Sequence, residues 1–178
     1  MSKGAARRRA GYYPGMGHHI VALVIPGVAD AGAAAAYDLR PIPLAGGVTL
    51  LHVDHYYSAY WQAKLGGEGE LEGPEGAPGL FPREAVLVRI AGALTRSARP
   101  RFAIVMTDYF GGFGYQWAAA YAGARQLEGD GTINAALRDL GVVRRAGMDE
   151  FDTVGLGDHR WPPDYLRRYS ALCDELGI

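Results

Sequence analysis

The stretch of this chain richest in chemically capable side chains is Thr107-Asp108-Tyr109-Phe110-Gly111-Gly112-Phe113-Gly114-Tyr115-Gln116-Trp117. A carboxylate, an amide, two tyrosines and an indole surround three glycines, which is more recognition capacity than a simple chain reversal requires. The glycines favour a tight turn with positive φ, and Tyr115-Gln116-Trp117 is strand-like. Residues 115–126 are therefore read as the second strand of a hairpin, with an alanine-rich helix as the alternative. Strands would hold Tyr109, Tyr115 and Trp117 rigidly for a flat ligand or a partner surface, with Asp108 and Gln116 adding directional polar contacts. The competing account is an aromatic hairpin that packs only on its own core. The glycine spacing matches neither GxGxxG nor GxxxxGK[ST], so phosphate binding is not indicated. A second candidate spans 149–161, where Asp149-Glu150-Phe151-Asp152 precedes Gly155-Leu156-Gly157-Asp158-His159-Arg160-Trp161. It lacks the alternating oxygen ligands and closing glutamate of an EF-hand. Asp158 and Arg160 join the binding candidates, and His159, with Asp108 as a base, is the catalytic alternative.

The histidines raise a different chemistry. Leu50-Leu51-His52-Val53-Asp54-His55 resembles part of the HxHxDH metal-binding signature of metallo-β-lactamase-fold hydrolases. The resemblance covers six residues, with Leu50 at the first histidine position. It implies a hydrolytic zinc or another divalent metal held by imidazoles and a carboxylate. Strand alternation would place His52 and Asp54 on one face and His55 on the other. One of His18 and His19 could join them if the first two strands are neighbours, because adjacent strand residues point apart. His19, His52 and Asp54 are the alternative metal set; the primary reading has no cofactor. There is no GxSxG elbow, and the lone Cys173, within a helically spaced stretch, reads as an apolar filler and not a nucleophile.

These side chains must be positioned by an ordinary globular core. Residues 20–25 form a continuous β-favouring run ended by Pro26-Gly27, the pattern of a central strand buried on both faces. Residues 30–36 suit a short helix. Residues 48–61 alternate at strand periodicity, and 66–79, rich in Gly, Pro and Glu, read as a long flexible loop with almost nothing to bury. Residues 82–98 read as a helix with Pro82 and Glu84 at its start, and 102–106 as another buried strand. Thr132 is a good N-cap for a helix over 133–140 closed by Gly141. Residues 149–161 read as loop, and Pro162-Pro163-Asp164 starts a terminal helix running to about residue 176. Hairpin-joined strands with helices concentrated in the second half predict an α+β domain with a largely antiparallel or mixed sheet and three or more helices.

The chain of 178 residues carries 49% hydrophobic and 21% charged residues and a net charge of -1. That composition predicts one folded domain over 18–178, preceded by a basic, glycine-rich arm over 1–17. A near-zero net charge supplies no general attraction for nucleic acid, so only Arg7, Arg8 and Arg9 would reach for phosphate. No apolar run approaches the ~20 residues of a membrane span. One cysteine excludes an internal disulfide, and a cytoplasmic setting follows as the expectation. The favoured reading is a small binding or interaction protein, of regulatory, immunity or phage-accessory type, with a protein or small-molecule partner. The alternatives are a metal-dependent hydrolase and a subunit of a virion or shell assembly that docks through its arm, with homo-oligomerisation possible.

Overall fold

The structure, a computed structural model, describes residues 17–110 and 113–178, the side chains of His18, Phe110 and Phe113 excepted. Arg7, Arg8, Arg9 and the arm as far as residue 16 lie outside the described residues, as do Gly111 and Gly112.

The most apolar run becomes β1 (Gly17–Pro26). Val21, Leu23 and Ile25 are buried on one side of it and Ile20, Ala22 and Val24 on the other, which is why the run shows no alternation. The remaining strands are β2 (Ile42–Leu44), β3 (Val48–His52), β4 (Arg101–Phe110), β5 (Phe113–Ala122) and β6 (Arg125–Gln126). They form one sheet in the order β2-β3-β1-β4-β5-β6 with every pairing antiparallel, and β1 lies inside it. The helices are α1 (Ala31–Ala36), α2 (His55–Lys64), α3 (Val86–Thr95), α4 (Ile133–Asp139), α5 (Glu150–Val154) and α6 (Arg168–Leu176). Four of them, α1, α2, α3 and α6, cover the face of Val21 and Leu23. The other two, α4 and α5, cover the face of Ile20 and Ala22. The chain is thus an α+β domain of three layers, with several helices in its second half. No helix among the described residues is long and apolar enough to cross a membrane.

Local chemistry explains where the elements depart from expectation. The strand read over 48–61 stops at His52, because the Asp54 carboxylate accepts the Tyr57 N–H at 2.7 Å and caps α2. Side-chain alternation could not reveal that switch, since the capping residue sits inside a run of residues that suit either structure. The loop read over 149–161 contains α5, capped by Asp149 through the Asp152 N–H at 2.8 Å, and a 3₁₀ turn at Leu156–Asp158. Residues 66–79 do bury side chains: Leu71 and Pro74 are inside, and the Tyr121 hydroxyl donates to the Glu72 carbonyl at 2.7 Å. Hairpin β4–β5 runs from Arg101 opposite Ala122 to Phe110 opposite Phe113, which settles 115–122 as strand. Thr132 caps α4 as the sequence indicates, its hydroxyl accepting the Ala135 N–H at 3.2 Å.

Candidate functional site

Unequal strand lengths create the exposed end of the sheet. β3 pairs with β1 only from Ala22 to Pro26, whereas β4 follows β1 to Gly17 and β5 follows β4 to Phe113. The space left beside the start of β1 is taken by the chain after α5, where the His19 N–H donates to the Arg160 carbonyl at 2.8 Å. The two segments singled out in the sequence, 107–117 and 158–161, therefore reach the same end of the sheet. They flank it from opposite sides of β1, the first from the hairpin strands and the second from the loop after α5.

Strand alternation divides the hairpin side chains. Asp108, Tyr115 and Trp117 share the four-helix face with His19, which stands opposite Asp108. Because the His19 N–H points away from β4, this is a non-hydrogen-bonded pair, the closer type. Tyr115 is 68% exposed, and its ring stacks on Trp117 with centroids 5.7 Å apart and planes 18° from parallel. Trp117 in turn rests against the four-helix core.

Thr107, Tyr109 and Gln116 face the two-helix side. They line a cleft of about 240 Å³ whose far wall includes Asn134, Asp149 and Phe151. Gln116 Oε1 accepts the Ile133 N–H at 3.3 Å, tying the hairpin to the start of α4. Asn134 donates to Asp149 at 3.1 Å and accepts the Phe151 N–H at 2.9 Å, tying α4 to α5. The Tyr109 ring lies over Gly114: a Cβ at that position would be 1.9 Å from Tyr109 Cδ1. Arg160 Nε donates to the Gly157 carbonyl at 2.6 Å, so part of its donor capacity is spent within its own loop, while Asp158 is exposed. Asn134 escaped sequence reasoning because one asparagine in a helix carries no periodic signal. The available clue was the pair of caps, Thr132 and Asp149, that brings its helix beside α5.

The histidines are not assembled. His52 lies opposite Ala22 and so faces the two-helix side, whereas His19 faces the other; the sheet stands between them. Burial holds the His52 imidazole below its ordinary pKa, with His159 nearby adding to the effect. Asp54 has left the sheet as a helix cap, and burial raises its carboxyl, with the Tyr57 N–H acting in opposition. The alternative metal set of His19, His52 and Asp54 is therefore divided. Among the described residues, no three His, Cys, Asp or Glu side chains are grouped so as to hold a metal ion. Asp108 belongs to the row of His19 and Tyr115, whereas His159 neighbours His52, so the alternative catalytic pair is not brought together. His55 instead meets Glu84, Nδ1 to Oε1 at 3.2 Å, and Glu84 also accepts from the Ser58 hydroxyl and the Arg83 N–H. Both Ser58 and Glu84 are buried, which makes this a strap between α2 and the chain leading into α3. Cys173 is buried, donates to the Tyr56 carbonyl at 3.3 Å, and burial pushes its thiol pKa up, the opposite of what a nucleophile needs.

No protein-family model matches the chain, and the comparisons with curated proteins and with solved structures found no match.

Proposed function

We propose that this chain is a non-catalytic binding protein that presents the projecting end of hairpin β4–β5 to a protein partner. The observation that carries this reading is Tyr115, 68% exposed and stacked on the half-buried Trp117. Tyrosine and tryptophan are enriched among the residues that dominate interface energies. A ring already braced by a neighbour loses little further freedom when a partner covers it. The paired ten-residue strands beneath it supply a stiff mount, and Asp108 directly opposite adds a charged contact. The separated positions of His19, His52 and Asp54 give the hydrolytic alternative no comparable support.

The test is capture by the full chain carrying a photoreactive group at position 113, compared between the parent protein and Tyr115→Ala. The expected result is a discrete cross-linked partner that disappears in Tyr115→Ala, while the melting temperature moves by no more than about 2 °C, as for other exposed substitutions. Undiminished cross-linking, or unfolding of Tyr115→Ala, overturns the reading.

A further inference from the structure

The outer edge of β5 has a chemistry of its own. β6 pairs with it only at Tyr121 and Ala122. The chain that follows reaches it at two more points, where the Leu127 N–H donates to the Ala120 carbonyl and the Ala118 N–H to the Gly131 carbonyl. The backbone groups of even-numbered β5 residues therefore point outward. From Gly114 to Gln116, no backbone among the described residues pairs with that edge. A groove of about 360 Å³ lies alongside, lined by Glu75, Gln116, Trp117, Gln126 and Asp130 together with Pro74 and a glycine turn.

The groove walls are rich in acceptors. Glu75 and Asp130 are its charged residues, both acidic, and no lysine or arginine lines it. Thr132 donates to Asp130 Oδ1 from its N–H at 2.9 Å and its hydroxyl at 2.5 Å, and these bonds hold the Asp130 carboxyl below its ordinary pKa. Trp117 offers an indole. Gln126 is half-buried, and its Oε1 is closed to solvent with no hydrogen-bond partner. An acceptor in that state is costly and calls for a donor, which a small turn about the broad terminal amide torsion would meet.

Two carboxylates, an unpaired carbonyl oxygen, an aromatic ring and an open strand edge together suit a planar cation with several N–H donors, carried on an extended backbone. Guanidinium fits better than ammonium, because it combines fork-like donation to carboxylates with stacking on aromatic faces. We infer that the groove is an arginine-recognition site that takes an arginine-bearing extended segment of the partner protein, added beside β5 as a further strand. This rests on the reading of the hairpin as a binding surface and names the partner's chemistry.

The probe is an acetylated Gly-Ser-Arg-Ser-Arg-Ser-Gly amide, with lysine and citrulline counterparts, titrated into the full-length protein. The readout is the Trp117 indole and Gln126 side-chain amide signals in ¹H–¹⁵N spectra. Saturable shifts of both are expected with the arginine peptide, with binding at least about tenfold weaker for citrulline, which loses the charge-assisted bonds. Glu75→Gln, Asp130→Asn and Gln126→Leu are each expected to weaken it by roughly three- to tenfold. Equal binding of the citrulline peptide, or unmoved Trp117 and Gln126 signals, overturns the inference. So does a more than tenfold tightening when Arg7, Arg8 and Arg9 are changed together to alanine, which would make the chain's own arm the occupant. If partner cross-linking still depends on Tyr115 while the peptides leave the groove unmoved, the arginine assignment falls and the hairpin reading stands. If cross-linking is indifferent to Tyr115, the hairpin reading falls and the arginine assignment with it.

Discussion

Gly114→Ala tests whether the hairpin end is built as described. The Gly114 backbone is not in the left-handed region, so alanine meets no conformational barrier there. The obstacle is Tyr109, whose ring atoms would lie 1.9 to 2.5 Å from the new Cβ. The tyrosine must swing out or the strands must part, an overpacking cost of about 1–3 kcal/mol. Alanine also recovers about 0.5–1 kcal/mol of the backbone entropy that glycine loses in a strand. The net destabilisation is then roughly 0.5–2 kcal/mol, a melting-temperature fall of roughly 2–6 °C for a chain of this size. With Tyr109→Ala already in place, the clash is gone and only the entropic gain remains, so the same substitution should stabilise. Urea unfolding of the four proteins in the double-mutant cycle should show a coupling of about 1–3 kcal/mol. Additivity to within about 0.5 kcal/mol would refute the proposed seating of Tyr109 on Gly114.

Three further outcomes rest on two buried groups and one exposed helix cap. Glu84→Ala removes the carboxylate that accepts from the Ser58 hydroxyl and the Arg83 N–H and that faces His55, leaving the hydroxyl only the Asp54 and His55 carbonyls at 3.1 Å, and should cost about 1–3 kcal/mol in urea unfolding, with Glu84→Gln costing less than half as much; equal stability of parent and alanine variant would show that the strap contributes nothing. His52 has a folded pKa below its unfolded value near 6.5, so the unfolded state binds more protons as the medium becomes acidic. The parent should therefore keep its full stability above pH 6.5 and lose it below, by at most about 1.4 kcal/mol per pH unit for this one proton. His52→Gln should flatten the melting-temperature profile between pH 7 and 5; an unchanged profile would assign the slope elsewhere. Asp149→Ala removes the α5 cap and the Asn134 bond, with an expected loss of about 1–2 kcal/mol. Faster amide exchange over 150–154 should accompany that loss, and unaltered exchange would count against it.

What the sequence disclosed depended on the range of the physics involved. Burial on both faces makes β1 legible as an unbroken apolar run, and the Thr132 cap announces α4 because both signals are local. Three closely spaced glycines likewise pointed to the hairpin. The boundary at Asp54 was hidden because a capping aspartate and a polar strand residue are the same residue type in different backbones. Asp54 decided the fate of the metal motif as well: once it caps α2, it no longer follows His52 in the sheet. The cleft between Gln116, Asn134 and Phe151 joins residues 17 to 35 positions apart through helix packing, which no short-range pattern encodes. Gln126 and Glu75 lie farther apart still and meet only because the 66–79 segment folds back over β5.

The projecting end is a consequence of that same Asp54 cap. β3 is five residues long and β4 and β5 are ten, so about 17 Å of paired strand extends past the point where β3 turns into α2. On the other side of the sheet the outer edge of β5 is open from Gly114 to Gln116 among the described residues, and such an edge invites pairing between copies unless charge or shape discourages it. Glu75 and Asp130 flank the groove along the edge, while Asp108 lies on the neighbouring strand. Two such edges placed antiparallel would bring carboxylates together, and like charges across strands are destabilising. Under the proposed arginine recognition, the acidic rim that would disfavour a second copy would also favour a cationic strand, so the feature that protects the edge would select its partner.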